Sequence, residues 1–315
     1  MKYSIITPVF NREDCVQRCI DSVCRNLQWN IDIEHIIVND GSTDNTASIV
    51  QQNVEKYSHI RFINFEHNQG TNAARNTAIN AAIGDFCIIL DSDDYFLDNA
   101  LKEMHQIVSD NSSYKHFMFA PDDMEDSYKS NNLLNKQYNI LKYEDFLLGK
   151  IAGDFIHVIA TNTLKKYPFG ETVRIHEGVF FLRFYKEAQN MLFFNKTVTI
   201  RERNRIDSVT RETIRTKKVY IERILKASHI QLEWFKEDYI RFGCNQIIDS
   251  LYAKIIENSL LLSHYDNLKV YLHAYKGPKC FLFKIIYFLR FGWLYKIALN
   301  FYLIAKYRFF HHEVK

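Results

Sequence analysis

Ile88-Ile89-Leu90-Asp91-Ser92-Asp93-Asp94 is a short apolar run that stops abruptly at three carboxylates within four positions. An ionised carboxylate is very costly to bury unpaired, so the cluster belongs at the exposed end of a strand. Like charges this close repel unless something cationic sits among them, and a divalent metal is the simplest such cation. In open α/β sheets, ligands bind beyond the carboxyl ends of the strands. The stretch therefore points to a metal-dependent site for a phosphorylated ligand.

Upstream of this stretch, strand and helix signals alternate. Tyr3–Val9 is a β-rich run closed by Pro8 and Asn11, and Glu13–Leu27 carries Val16, Ile20, Val23 and Leu27 at helical spacing. Ile33–Val38 reads as a second strand, and Asn39-Asp40-Gly41-Ser42 after it is strong turn chemistry. Thr43 or Asp44 is placed to cap a helix running to about Tyr57. Ile60–Phe65, Thr71–Ile83 and Phe86–Leu90 continue the alternation as strand, helix and strand. This order predicts an α/β fold, a mostly parallel sheet with helices on both faces. Further on, Asp98–Val108, Tyr143–Leu148 and His176–Ala188 read as helices, and Tyr114–Ala120 and Met191–Ile200 as strands. Pro121–Asn132, polar and acidic, reads as a surface loop, and the chain from Thr213 onward reads as helical.

Composition is that of an ordinary globular protein, 47% hydrophobic and 24% charged, and a net charge of +3 carries no nucleic-acid signature. No CxxC pair occurs among the six cysteines, which argues against a zinc knuckle and for free thiols in a reducing cytosol. The apolar run at the N-terminus is too short for a signal-peptide core, as in a cytoplasmic protein.

Three turns follow three early strands: Thr7-Pro8-Val9-Phe10-Asn11, Asn39-Asp40-Gly41-Ser42-Thr43-Asp44, and Asp91-Ser92-Asp93-Asp94. In a parallel sheet all three lie along one edge and converge on one ligand. An Asp in such a turn accepts from a base N–H or a ribose hydroxyl. Two carboxylates spaced one residue apart suit Mg²⁺ or Mn²⁺ held against a diphosphate.

The chain resembles the family 2 glycosyltransferases of the GT-A fold. The resemblance rests on Ser4–Asn11, on Val38-Asn39-Asp40-Gly41-Ser42-Thr43-Asp44-Asn45-Thr46, on Asn68-Gln69-Gly70 with Ala74-Arg75-Asn76, and on Gly84-Asp85-Phe86 through Asp94. It is specific over about the first hundred residues and weaker to about Thr210. It implies that residues 1–100 form the nucleotide-sugar-binding half of the domain, that 101–212 form the acceptor-binding half, and that 213–315 are a helical C-terminal extension. It also implies that Thr7, Pro8 and Asp40 line the base pocket, with Asp40 facing a uracil edge, and that Arg75 reaches the nucleotide or its diphosphate. Asp91-Ser92-Asp93 matches the DXD motif: Asp91 meets ribose or metal, Asp93 ligates Mn²⁺ or Mg²⁺, and Asp94 supports the turn or meets the donor sugar. A donor that is a UDP-sugar and an acceptor that is a glycan or a lipid-linked sugar follow from the same likeness.

An inverting transferase needs a base for the acceptor hydroxyl. The family usually supplies it from an acidic pair opening a helix. The matching stretch here is His176-Glu177-Gly178-Val179-Phe180-Phe181, so Gly178 stands where the second acid is expected. Glu177 is the first candidate and His176 the second, the imidazole being titratable near neutral pH. The alternative is that Glu177 only caps the helix. The stretch Thr199-Ile200-Arg201-Glu202-Arg203-Asn204-Arg205 matches a basic segment that closes over the diphosphate in related enzymes, with Arg203 or Arg205 in that role.

From Asp266 to Glu313 there is no acidic residue between, while eight lysines and arginines fall there among many aromatics. No apolar run reaches the roughly 18 residues of a spanning helix. Lys284, Arg290 and Lys296 point in three directions at about 100° per residue, and Gly292 is a natural break. Residues 278–312 are therefore expected at a membrane surface, at the inner face of the cell membrane, with packing onto the catalytic domain or a second subunit as the alternative. A non-catalytic sugar-nucleotide or glycan-binding relative is the other class of function to weigh, motivated by Gly178. A nucleotidyltransferase or a dinucleotide oxidoreductase fits poorly, because no Gly-rich loop follows the first strand.

Overall fold

The computed structural model describes residues 1–171, 177–202 and 217–310. The chain divides into two compact units, 1–205 and 206–315. In the first unit the elements run β1 (Lys2–Val9), α1 (Val16–Asn26), β2 (Asp32–Asn39), α2 (Thr46–Lys56), β3 (Ile60–Asn64), α3 (Thr71–Ala81) and β4 (Phe86–Ile89). They continue with β5 (Tyr95–Phe96), α4 (Ala100–Asp110), β6 (His116–Pro121), α5 (Glu125–Lys129), β7 (Tyr138–Lys142), α6 (Tyr143–Leu147), β8 (Ile156–Ala160), α7 (Thr161–Lys166), α8 (Gly178–Ala188) and β9 (Asn190–Ile200).

The strands form one sheet in the order β3-β2-β1-β4-β8-β6-β9-β5, with β7 also paired to β9. The strands β1 to β4 are mutually parallel where they pair, and β9 is parallel to β6. β8 runs against β4 and β6, and β5 and β7 run against β9. Thus β1, β2, β3, β4, β6 and β9 share one direction, the mostly parallel sheet expected from the alternation. Central parallel strands are covered on both faces and so read as continuous apolar runs. Ile5 and Ile6 of β1 are adjacent yet both fully buried. The apolar stripe of α1 does what its spacing predicts, with Val16, Cys19, Ile20 and Val23 buried. The N-cap of α2 is Asn45 rather than Thr43 or Asp44, and it makes no side-chain cap hydrogen bond; Asp44, one residue earlier, accepts the Thr46 N–H at 3.0 Å.

Residues 121–132 differ from the expected surface loop. They contain α5, and Tyr128 within it is fully buried, stacked on Phe155 and edge-on to Phe193. The polar composition conceals one aromatic anchor, whose burial contributes on the order of 2 kcal/mol. β5, β7 and β8 have no counterpart in the sequence reading. A two-residue strand has no period to detect, and β7 and β8 pair antiparallel, outside the alternation of strand and helix that made β1 to β4 readable.

The second unit is helical: α9 (Lys218–Arg241), α10 (Asn245–Leu261), α11 (Leu268–Ala274), α12 (Cys280–Leu289) and α13 (Gly292–Phe310). Its core joins Ile256 and Leu260 of α10 to Leu268 and Leu272 of α11 and to Phe283, Ile286 and Tyr287 of α12. Among the described residues no helix is long and apolar enough to cross a membrane.

Three histidines lie in the interior of the first unit. His35 meets the Thr7 hydroxyl at 2.9 Å, and burial, with the charge of His59, pushes its pKa down to about 3. His116 and His157 hydrogen-bond each other at 3.0 Å, and burial holds both well below the ordinary range. A histidine depressed in the native state binds its proton preferentially when unfolded. Its contribution to stability is therefore complete above about pH 6.5 and is lost as pH falls below it. Stability in urea is expected to drop as pH falls from 7 to 5, with a slope that approaches about 1.4 kcal/mol per histidine per pH unit below about pH 5.5. The double variant His116→Phe/His157→Phe should flatten that slope, and an unchanged slope would refute the assignment.

Candidate active site

The cluster at Asp91, Asp93 and Asp94 follows β4 directly, one residue beyond the buried Leu90. The Asp94 N–H donates to the Asp91 carbonyl at 3.0 Å, closing a turn. Alternation within the turn sorts the side chains: Asp91 is exposed, Ser92 is buried and Asp93 is half-buried. Ser92 thus packs inward while the two DXD carboxylates are presented.

Four arginines from separate elements surround the turn. Arg75 of α3 donates to Asp91 Oδ1 at 3.0 Å. Arg12, in the loop after β1, lies 3.8 Å from Asp93 Oδ2. Arg18 of α1 donates to the Asp93 carbonyl at 3.2 Å, bonds the Glu202 carboxylate and lies over the Tyr95 ring at 4.5 Å. Arg201, just past β9, is held by Asp123 at 3.1 Å and Asp154 at 2.8 Å, and its N–H donates to Asp122 at 3.0 Å. The adjoining Glu202 N–H donates to Asp94 Oδ1 at 3.2 Å. Even so, burial and then the charges of Asp91 and Asp93 push the Asp94 carboxyl up to about 8.

The second turn is built around Asp40, which is buried. Its carboxylate accepts the Gln69 N–H at 2.7 Å and the Gly70 N–H at 3.0 Å, which fixes the loop leading into α3 and so the base of Arg75. This loop approaches the turn so closely that a Cβ on Gly41 would stand 2.6 Å from the His67 carbonyl carbon, and its φ of +69° also favours glycine. Ser42 and Thr43 are tied to the first turn, the Ser42 hydroxyl accepting the Asn11 N–H at 2.9 Å and Asn11 Oδ1 accepting the Thr43 N–H at 2.9 Å. The first two turns are therefore cross-linked, Arg12 just past the first reaches Asp93 of the third, and the parallel strands β1, β2 and β4 bring all three to one sheet edge. Thr7 is fully buried, with its hydroxyl turned to His35, and Pro8 beside it is buried as well.

Glu177 stands at the N-cap of α8, half-buried, and makes no side-chain cap hydrogen bond, so its carboxylate is not spent on capping. A side chain at Gly178 would meet open space, so the missing acid is not replaced by packing. The start of α8 is linked to the arginine side of the cluster through rings. Phe180 lies 6.2 Å from Phe169, and the Arg75 guanidinium lies 5.7 Å from that ring. His176, Arg203 and Arg205 lie outside the described residues.

The donor set is compatible with a divalent metal. Among the described residues no group of three or more His, Cys, Asp or Glu forms a closed cage. Asp91 and Asp93 offer hard oxygen donors from one side only, the arrangement in which Mg²⁺ or Mn²⁺ keeps waters and takes the remaining ligands from substrate phosphates.

Arg12, Arg18, Arg201 and the Asp122, Asp123 and Asp154 partners were not anticipated. A signal for Arg201 existed, since it and Asp122-Asp123 follow strands that run parallel as neighbours. Nothing local marks Arg12 or Arg18.

The sequence profile of Glycosyl transferase family 2 matches residues 4–167, and the chain belongs to that family. It is 30% identical over 272 residues to the GalNAc(5)-diNAcBac-PP-undecaprenol beta-1,3-glucosyltransferase of Campylobacter jejuni, covering 82% of this chain and 84% of that one. Two solved structures share the fold. S. aureus TarS 1-349 in complex with UDP-GlcNAc has a TM-score of 0.66 and 17% identity, over 88% of this chain and 82% of that one. The mannosyltransferase PcManGT from Pyrobaculum calidifontis in complex with GDP-Man and Mn²⁺ has a TM-score of 0.56 and 13% identity, over 95% and 86%. The protein is thus a glycosyltransferase with a GT-A-type fold.

The exposed Arg18–Glu202 pair should matter more to function than to stability, since such pairs contribute at most about 1 kcal/mol. Arg18→Ala is expected to lower transferase activity about tenfold, the order of one lost charge-assisted hydrogen bond, with little change in the urea midpoint. Unaltered activity would show that this contact does not steady the turn.

Proposed function

We propose that the protein is an inverting transferase that moves a sugar from a UDP-sugar to a glycan acceptor carried on a lipid diphosphate, in the synthesis of a bacterial surface polysaccharide or similar glycan. The observation that carries the reading is the convergence of the Asp40 turn, the Asp91/Asp93 pair and Arg75 at one sheet edge. The name of the Campylobacter relative supports an undecaprenol-linked acceptor, and the UDP-GlcNAc complex of TarS supports the donor class. A lipid-linked acceptor also favours a cytoplasmic enzyme resting peripherally on the inner face of the membrane through residues 278–312.

In this reading the turns at Pro8 and Asp40 border the base, Thr7, fully buried against His35, supports them from behind, and Arg75 offers its donor fork to the diphosphate. Ser92 and Asp94 shape the turn, and Arg203 and Arg205 close over the phosphates. Asp91 and Asp93 would hold Mn²⁺ or Mg²⁺, which when bound supplies Lewis-acid neutralisation of the leaving diphosphate. Glu177 takes the proton of the acceptor hydroxyl, with His176 as the alternative base, while that oxygen bonds the anomeric carbon. The bond from that carbon to the diphosphate oxygen breaks, and its electron pair leaves with UDP.

In single-turnover assays Glu177→Gln is expected to lose about 10²–10⁴-fold in the chemical step while donor binding is retained. Near-normal chemistry would remove Glu177 and leave His176→Ala as the decisive variant. The donor is identified by thermal shift across UDP-, GDP- and dTDP-sugars with and without Mn²⁺, since a ligand that binds the native state stabilises it. The UDP series should stabilise most, only with Mn²⁺, and less so in Asp93→Asn. An equal shift in EDTA would overturn the metal assignment.

A further inference from the structure

Helix α12 is apolar on both sides. Phe283, Ile286 and Tyr287 enter the core of the second unit. Phe281, Leu282, Ile285, Phe288 and Leu289 stand outside it, with Phe281 76% and Phe288 74% exposed. Their spacing, at positions i, i+1, i+4, i+7 and i+8, puts them on one face. A ten-residue helix is about 15 Å long, half of what crossing a bilayer needs, so this face can lie on a membrane but cannot span it.

Exposed apolar side chains recur past α12. The chain turns at Arg290, whose φ is +57° and whose guanidinium lies 4.3 Å from the Tyr265 ring centroid. Gly292 then packs so tightly that a Cβ would stand 2.1 Å from the Leu260 carbonyl oxygen. Beyond it Trp293, Leu294, Ile297 and Phe301 of α13 are exposed at the same helical spacing. Lys284 and Arg290 are exposed beside these side chains.

We propose that the outer face of α12 and the first turns of α13 form a docking surface for an anionic lipid bilayer, with the aromatic and aliphatic side chains in the interface and the cations at the headgroups. Charge chooses this occupant. Between Asp266 and Glu313 the chain has no acid and eight lysines and arginines, complementary to acidic lipid. A second copy of the chain would set the same cations against each other, a juxtaposition that disfavours association. The inference gives the acceptor reading its location and rests on that reading for its purpose, but the binding itself is independent of donor and acceptor.

The test is co-sedimentation of the full chain with phosphatidylcholine vesicles with and without phosphatidylglycerol, in the absence of substrates. Binding is expected only with phosphatidylglycerol. It should weaken about fivefold in Lys284→Gln, and be lost in Phe281→Ser/Phe288→Ser. These side chains lie outside the core, so the urea midpoint and the activity on a water-soluble acceptor should be unchanged. Undiminished binding of the double serine variant, no binding by the parent chain, or a dimer that this variant dissociates would each overturn the proposal. Loss of activity on the soluble acceptor with vesicle binding intact would count against the transferase reading instead.

Discussion

Three carboxylates at one strand end repel one another, and much of the architecture of the first unit answers that repulsion. Arg12, Arg18, Arg75 and Arg201 come from the β1 loop, α1, α3 and the end of β9, and each is oriented by a second partner or a ring. The result is a turn at the edge of the sheet in which burial first, and then the charges of Asp91 and Asp93, raise the Asp94 carboxyl to about 8. A site of that character is poised for a cation and for the phosphates that accompany it.

Around this turn the backbone is set by a few hydrogen bonds at close quarters. Asp40 could have faced a ligand with its whole carboxylate, yet it also grips the Gln69 and Gly70 N–H groups. Asp40 therefore sets the entry of α3, which carries Arg75. Beside it Gly41 has no room for a side chain, because the His67-Asn68 backbone of the same loop lies against it. The start of α8 is joined to this assembly through aromatic packing on Phe169 rather than through polar contacts.

Much of the fold was legible because long periodic elements announce themselves. The α1 stripe and the apolar runs of β1 and β2 appear where spacing and composition put them. The antiparallel additions β5, β7 and β8 were not legible, since short strands acquire their conformation from the neighbours they pair with. Tyr128 was hidden for a similar reason, because its polar neighbours mark a loop and only its stacking on Phe155 makes it core. At the site, the acidic turn, Asp40 and Arg75 were legible from motif order, whereas Arg18 was not. A lone arginine on a helix gains its role only when the helix sets it against the Asp93 carbonyl and Glu202.

By itself the amino-acid order determined the alternating α/β pattern, the three polar turns, the family resemblance and the basic, acid-free C-terminal stretch. Those features are local: periodicity, turn chemistry and charge are written over a few residues each. The tertiary structure decided which arginines steady the carboxylates, that Ser92 packs inward between them, and that Glu177 is not used as a side-chain cap. It also decided which face of α12 is left outside the core. These outcomes depend on groups distant in sequence meeting within a few ångströms, and such meetings are set by packing.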